Sequence, residues 1–128
     1  MNCDNGCDNT NKIAKILEKI VYLQECGGQN ITSSCDKPFL GDVTLLANTR
    51  PLNLYTCVNA TLWQIPYTLN GVQDESPYFR VENVFDDTAT FRVLAFDGTT
   101  YTPTNDYFTI RLSCIGALKC LNDVLLTL

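Results

Sequence analysis

Residues 78–96 read YFRVENVFDDTATFRVLAF, and how this stretch divides decides the fold. Apolar and polar residues alternate on both sides of Asp86, Asp87 and Thr88. That is the period of a strand whose two faces see different surroundings. Both runs are rich in Val, Phe and Tyr, which suit a pleated, half-buried surface. The two aspartates favour a turn through their backbone hydrogen bonds. The stretch is therefore predicted to be a β-hairpin of strands 78–85 and 89–96. Arg80, Glu82 and Arg92 fall on it. They are placed either to pair across it, at about 0.2–1 kcal/mol per pair, or to supply half of an ionic contact with another subunit.

Working outward, the same period recurs in VTLLA (43–47), LNLYTCV (52–58), ATLWQI (60–65) and YFTIRLSC (107–114). Turn formers separate these runs: Pro51, Asn59, Pro66, Asn70-Gly71, Asp97-Gly98 and Pro103. Short strands with frequent turns predict a mainly β domain, an antiparallel sandwich or barrel-like fold. One segment breaks the period. Ile13, Ile16, Leu17, Ile20, Val21 and Leu23 recur at helical spacing, with Asn9 or Thr10 to cap and Gly27 and Gly28 to stop. A single N-terminal helix is predicted over about 11–25, packed on the core or presented to a partner. Residues 1–10 read as a flexible, cysteine-bearing tail. Residues 11–128 then form one domain, with its sandwich over about 38–128.

Composition removes several function classes. The net charge is -5 and the nine basic residues are scattered, so no nucleic-acid partner is expected. No apolar run approaches the ~20 residues of a membrane span. The opening MNCDNGCDNTNK is polar and acidic, unlike a signal peptide. The Asn30 and Asn59 glycosylation patterns therefore carry no weight. There is no histidine, which removes Ser-His-Asp and Cys-His catalysis and the commonest metal ligand. A cysteine-only zinc site needs four thiolates, usually in CxxC-like pairs. Here the close pairs are Cys3-x3-Cys7, Cys26-x8-Cys35 and Cys114-x5-Cys120. The acidic pairs Asp74-Glu75 and Asp86-Asp87 sit in predicted turns. No catalytic residue, metal or cofactor is expected.

The cysteines remain to be explained. Seven in 128 residues is dense for a chain without an export signal, and implies metal binding, catalysis or delayed oxidation. Seven is also odd, so at least one thiol stays free or bonds another chain.

Read in order, CDKPFLG (35–41), ANTRP (47–51), LYT (54–56), YFRVENV (78–84), TATFRVL (88–94) and RLSCIGALKCLNDV (111–124) resemble the spore coat and exosporium family that includes CotY, CotZ and ExsY. The resemblance runs from the helix to the C-terminus. Its most specific parts are the ANTRP…LYT block and the LSC…CL ending. It implies a non-enzymatic structural protein of the spore surface, made in the mother-cell cytoplasm. Its implied partners are itself, in an ordered and typically hexagonal lattice, and other coat or exosporium proteins. Non-covalent association would come first, and disulfides would lock the layer once the mother cell lyses. On that reading Cys3, Cys7, Cys26, Cys35, Cys114 and Cys120 are candidates for intermolecular bonds. Cys26 and Cys35 could instead staple the Gly-rich loop they bracket, and Cys114 and Cys120 could pack or bridge within the chain. Cys57, inside a predicted strand, is the expected buried reduced thiol. Relatives carry a further cysteine where this chain has Gly116, which implies a less cross-linked member or a different assembly.

A second function class is a small disulfide-stabilised β-sandwich that binds carbohydrate or protein. Trp63, Tyr67, Tyr78 and Tyr101 would supply its aromatic platform, unless they are ordinary half-buried strand residues.

Overall fold

The computed structural model describes residues 10–26 and 47–128. The predicted strand 43–47 lies outside them except for Ala47, which is not in a strand. The helical period becomes α1 (Thr10–Cys26). Ile13, Leu17, Ile20 and Leu23 are buried, whereas Lys12, Lys15, Glu18 and Lys19 face solvent. The helix is thus a core element. Burying each large aliphatic side chain stabilises the fold by about 1.5–3 kcal/mol.

Seven antiparallel strands follow: β1 (Leu52–Thr56), β2 (Ile65–Leu69), β3 (Val72–Ser76), β4 (Tyr78–Phe85), β5 (Thr88–Phe96), β6 (Tyr101–Arg111) and β7 (Ile115–Cys120). Five of them form one sheet in the order β6-β5-β4-β1-β7, and β2 and β3 form a separate two-stranded sheet. The hairpin at 78–96 forms as predicted, with Phe85 opposite Thr88 across Asp86 and Asp87. Asp86 takes a left-handed φ of 54°, a conformation that aspartate tolerates better than most side chains. Phe79 and Phe91 are fully buried on this hairpin. Phe108 of β6 packs on both, at ring-centroid distances of 4.9 and 5.4 Å.

Three readings change. The run 60–65 is not a strand. Ala60 adopts φ 50°, and Leu62 makes only an isolated bridge to Tyr55. Pairing begins at Ile65, and Asn70-Gly71, with φ of 53° and 80°, forms the tip of the β2–β3 hairpin. Left-handed dihedrals at both turn residues match the right-handed twist of the flanking strands. Second, β6 starts at Tyr101, well before residue 107. Pro103 is tolerated because β6 is an edge strand. Between the pairs Arg92–Tyr107 and Leu94–Pro103, Thr104 to Asp106 oppose Val93 alone. The Thr104 hydroxyl donates to the Val93 carbonyl at 2.7 Å. This bulge lets the Asp106 carboxylate accept the Thr68 N–H at 2.9 Å, which ties the small sheet to the large one.

Third, beyond the last run read as a strand (107–114), a further strand follows Cys114. In β7, Leu118 and Cys120 are half-buried while Ala117 and Lys119 are exposed. The register against β1 slips between Tyr55–Ala117 and Thr56–Ile115, so Gly116 is the extra residue of a bulge. A Cβ there would lie 2.7 Å from the Thr56 carbonyl oxygen and 2.9 Å from the Cys57 Cα. Only hydrogen fits against that backbone.

The segment ANTRP draws these parts together. Arg50 holds Asp123 by Nε–Oδ1 at 2.7 Å and Nη2–Oδ2 at 3.0 Å, with side chains only 4% and 1% exposed. Asn48 copies a strand pairing with its side chain: its amide donates to Leu126 O and its Oδ1 accepts Leu126 N–H, each at 2.9 Å. Thr49 pairs with Val124 through the backbone and accepts Arg80 Nε at 2.9 Å. Gln24 of α1 accepts the Arg50 N–H at 3.1 Å and donates to Val81 O at 2.8 Å. Helix, central strands and C-terminal segment are therefore clamped by one five-residue stretch.

Tyr78, Phe96 and Tyr101 cluster at the start of β6, with centroids 4.4–5.4 Å apart. Burial, and then the neighbouring Tyr78 phenol, holds the Tyr101 hydroxyl above the usual tyrosine range.

Asp123→Ala strands the buried Arg50 cation, and should lower stability by about 3–5 kcal/mol in urea unfolding. Gly116→Ala, with no charge involved, should cost about 1–3 kcal/mol through overpacking against β1. In an ultraviolet titration, Tyr101→Phe should delete a component that ionises above the usual tyrosine range. The phenol's contribution to stability is fully present below the free tyrosine value of about 10, and is lost as pH rises through the raised value.

Candidate functional site

The cysteines are placed by β1 and β7. Where β1 ends, Thr56 accepts the Thr61 N–H with its hydroxyl at 3.1 Å and the chain turns, so Cys57 lies just past the strand. The Cys57 N–H points to the Cys114 carbonyl at 3.3 Å, and Cys57 Sγ lies 3.0 Å from the Ser113 carbonyl oxygen. Cys114 is buried at 7% exposure and ends a short 3₁₀ turn, Leu112–Cys114. This end of the sheet also carries Val58, 54% exposed, and Phe85, 68% exposed. The Leu112 N–H bonds the Asp87 carbonyl at 2.7 Å there, which brings the two turns together.

Cys120 stands at the other end of β7, opposite Leu52. It lines an open cleft of about 520 Å³ with Phe96, Thr99, Tyr101 and Asn122. Six residue steps of mostly extended chain separate Cys114 from Cys120, about 15–20 Å at the rise of a strand. A disulfide needs Cα atoms roughly 4.4–6.8 Å apart. The two are not each other's partners and do not pack as a pair. Cys57, Cys114 and Cys120 are disulfide-bonded. Cys57 is half-buried, not the buried reduced thiol that a place within a strand suggests, because the strand stops one residue before it. Cys26 closes α1, while Cys3, Cys7 and Cys35 lie outside the described residues.

The charged residues of the hairpin meet one another. Glu82 sits at a bulge in β4 and its Oε2 lies 2.7 Å from Arg80 Nη1 and 3.8 Å from Arg92 Nε. Arg80 is buried and also donates to Asn48 O at 3.1 Å. Arg92 lies over the Tyr107 ring at 4.8 Å and contacts its hydroxyl. These ions pair within the chain. Opposite charges alternating in the order Arg80, Glu82, Arg92 cancel much of the field that three separate ions would project.

The four aromatics do not make one platform. Tyr78 and Tyr101 are in contact, whereas Trp63 and Tyr67 pack against the hydrophobic core. Among the described residues no three cysteine, aspartate or glutamate groups converge as metal ligands would. Among the same described residues, no helix is long and apolar enough to cross a membrane. The residues that sequence reasoning missed are Arg50, Asp123 and Gly116. Their signals lay inside the quoted motifs, as an arginine before a proline, an acid in NDV and a glycine within an apolar run.

Comparison with known protein families finds a match. The family model described as spore coat protein Z matches residues 1–103. No curated protein and no solved structure matches. The matched span holds the ANTRP clamp, the hairpin and five of the seven cysteines, and ends before Cys114 and Cys120. On that match, across most of its length, the chain belongs to the spore coat protein Z family.

Proposed function

We propose that the chain is a self-assembling structural component of the spore surface, in the coat or exosporium. Copies associate non-covalently in the mother-cell cytoplasm and are then locked into a layer by disulfides between chains. The role is structural, with no reaction to catalyse.

The observation that carries this reading is the match of residues 1–103 to the spore coat protein Z family. The odd total of seven supports it too, since bridges within the chain cannot consume every thiol. Cys3, Cys7, Cys26 and Cys35 are the proposed participants, with Cys114 and Cys120 joining by thiol exchange from the disulfides they already hold, and other coat proteins the proposed neighbours. Order matters physically. Thiolate exchange is slow and reversible under reducing conditions, so weak contacts select the geometry before oxidation fixes it.

The test is to express the full chain under reducing conditions, image it by negative-stain microscopy, then oxidise it. Ordered sheets or rings are expected before oxidation. After oxidation, gel ladders should appear without reductant and collapse with it. Digests of the oxidised material should yield inter-chain peptides. Concentration-independent monomers in which six cysteines pair within each chain would overturn the reading.

A further inference from the structure

We infer that Cys57 and Cys114 are bonded to each other, and that the sulfurs left for bonds between copies are three, all of them before residue 47. The pairing stands on the fold alone. The count deepens the self-assembly reading and rests on it.

Cys57, Cys114 and Cys120 are disulfide-bonded, and in a single chain each bond consumes two of its own cysteines. The ladder between β1 and β7 is paired up to Thr56–Ile115. One step further along, Cys57 comes opposite Cys114, and its N–H reaches the Cys114 carbonyl at 3.3 Å. Residues opposite one another in an antiparallel ladder have Cα atoms about 4.5–5.5 Å apart. That lies inside the roughly 4.4–6.8 Å that a disulfide spans. The bulge brings the two segments closer still, since the Cys57 Cα is 2.9 Å from where a Cβ of Gly116 would stand.

No other pairing among these three is open. Cys120 is too far along β7 to reach Cys114. It lies opposite Leu52, and Cys57 is five residue steps from Leu52, about 15 Å or more at the rise of a strand. Cys120 is therefore bonded to one of the remaining four cysteines, Cys3, Cys7, Cys26 and Cys35, which all precede residue 47.

The Cys57–Cys114 bridge encloses β2 to β6 and holds the ends of β1 and β7 together past the bulge. Making it removes two protons and two electrons from two thiols. A small-molecule disulfide accepts them and leaves as two thiols. The two bonds then use four of the seven sulfurs. One sulfur per copy would join chains in pairs, and two would give linear strings. Three is the lowest number from which a covalent layer can branch.

The test oxidises the full chain with glutathione disulfide at a concentration low enough to keep monomers. Remaining thiols are capped with N-ethylmaleimide, and the monomer is digested unreduced. Cleavage before aspartate and after lysine and arginine puts Cys57, Cys114 and Cys120 on separate peptides. Mass spectrometry should find Cys57 linked to Cys114, Cys120 linked to a peptide that precedes residue 47, and three capped sulfurs per chain. Cys57 or Cys114 capped, or linked to any other cysteine, would overturn the pairing. A capped Cys120 would overturn the count. Where copies associate, the first inter-chain peptides formed on oxidation should carry Cys3, Cys7, Cys26 or Cys35. Inter-chain peptides carrying Cys57 or Cys114 ahead of these would also overturn the count. A chain that maps as expected but stays monomeric at every concentration would keep the pairing and overturn self-assembly.

Discussion

The Arg50–Asp123 pair is the constraint on which the other parts depend. A bidentate ion pair out of reach of water is a weak source of net stability, since desolvating both charges offsets most of their attraction. It is a strong source of specificity, because any arrangement that separates the two leaves a buried charge. Arg50 precedes β1 and Asp123 follows β7, so the pair fixes how the last strand lies on the first. Asn48 and Thr49 extend the same grip to Leu126 and Val124, and Gln24 ties it to α1. Through Thr49 and Arg80 the network reaches the Arg80–Glu82–Arg92 cluster in the middle of the sheet. Polar groups at such sites must be satisfied or they destabilise, and each one named has its partner except Arg92 Nε, which is buried without a hydrogen bond and lies 3.8 Å from Glu82 Oε2.

Much of this was legible in the sequence, for a physical reason. The hairpin at 78–96 has one buried and one wetter face on each strand, so period two is written directly into its residues. α1 likewise has one buried stripe, and its helical period survives in the sequence. β3 carries no such signature, since four of its five residues face solvent. β7 was hidden differently. The extra residue Gly116 shifts the phase of alternation, and Ala117 and Lys119 give the outer face no distinctive chemistry. The run 60–65 looked like a strand because its composition suits one, yet a left-handed Ala60 turns the chain before pairing begins.

The site was less legible than the fold. Cysteine spacing along the chain says little about cysteine spacing in space. Cys114 and Cys120 are close in sequence and lie at opposite ends of one strand, while Cys57 and Cys114 are far apart in sequence and meet through the backbone. The spacing became informative only once the intervening residues were known to be extended. Among the described residues these cysteines converge in no metal-ligand group. Their distribution over the molecule is set by the architecture of β1 and β7 and not by local sequence.

The bulge at Gly116 carries a consequence for how such chains diverge. A relative with any side chain at that position, cysteine included, must separate β1 from β7 locally or pair them in another register. Acquiring a thiol there is therefore not an independent step of sequence change. It is epistatic with Thr56 and Cys57, whose backbone occupies the space, and with Arg50 and Asp123, which hold the two strands in place. The number of sulfurs a coat protein of this fold can display and the register of its first and last strands would have to evolve together.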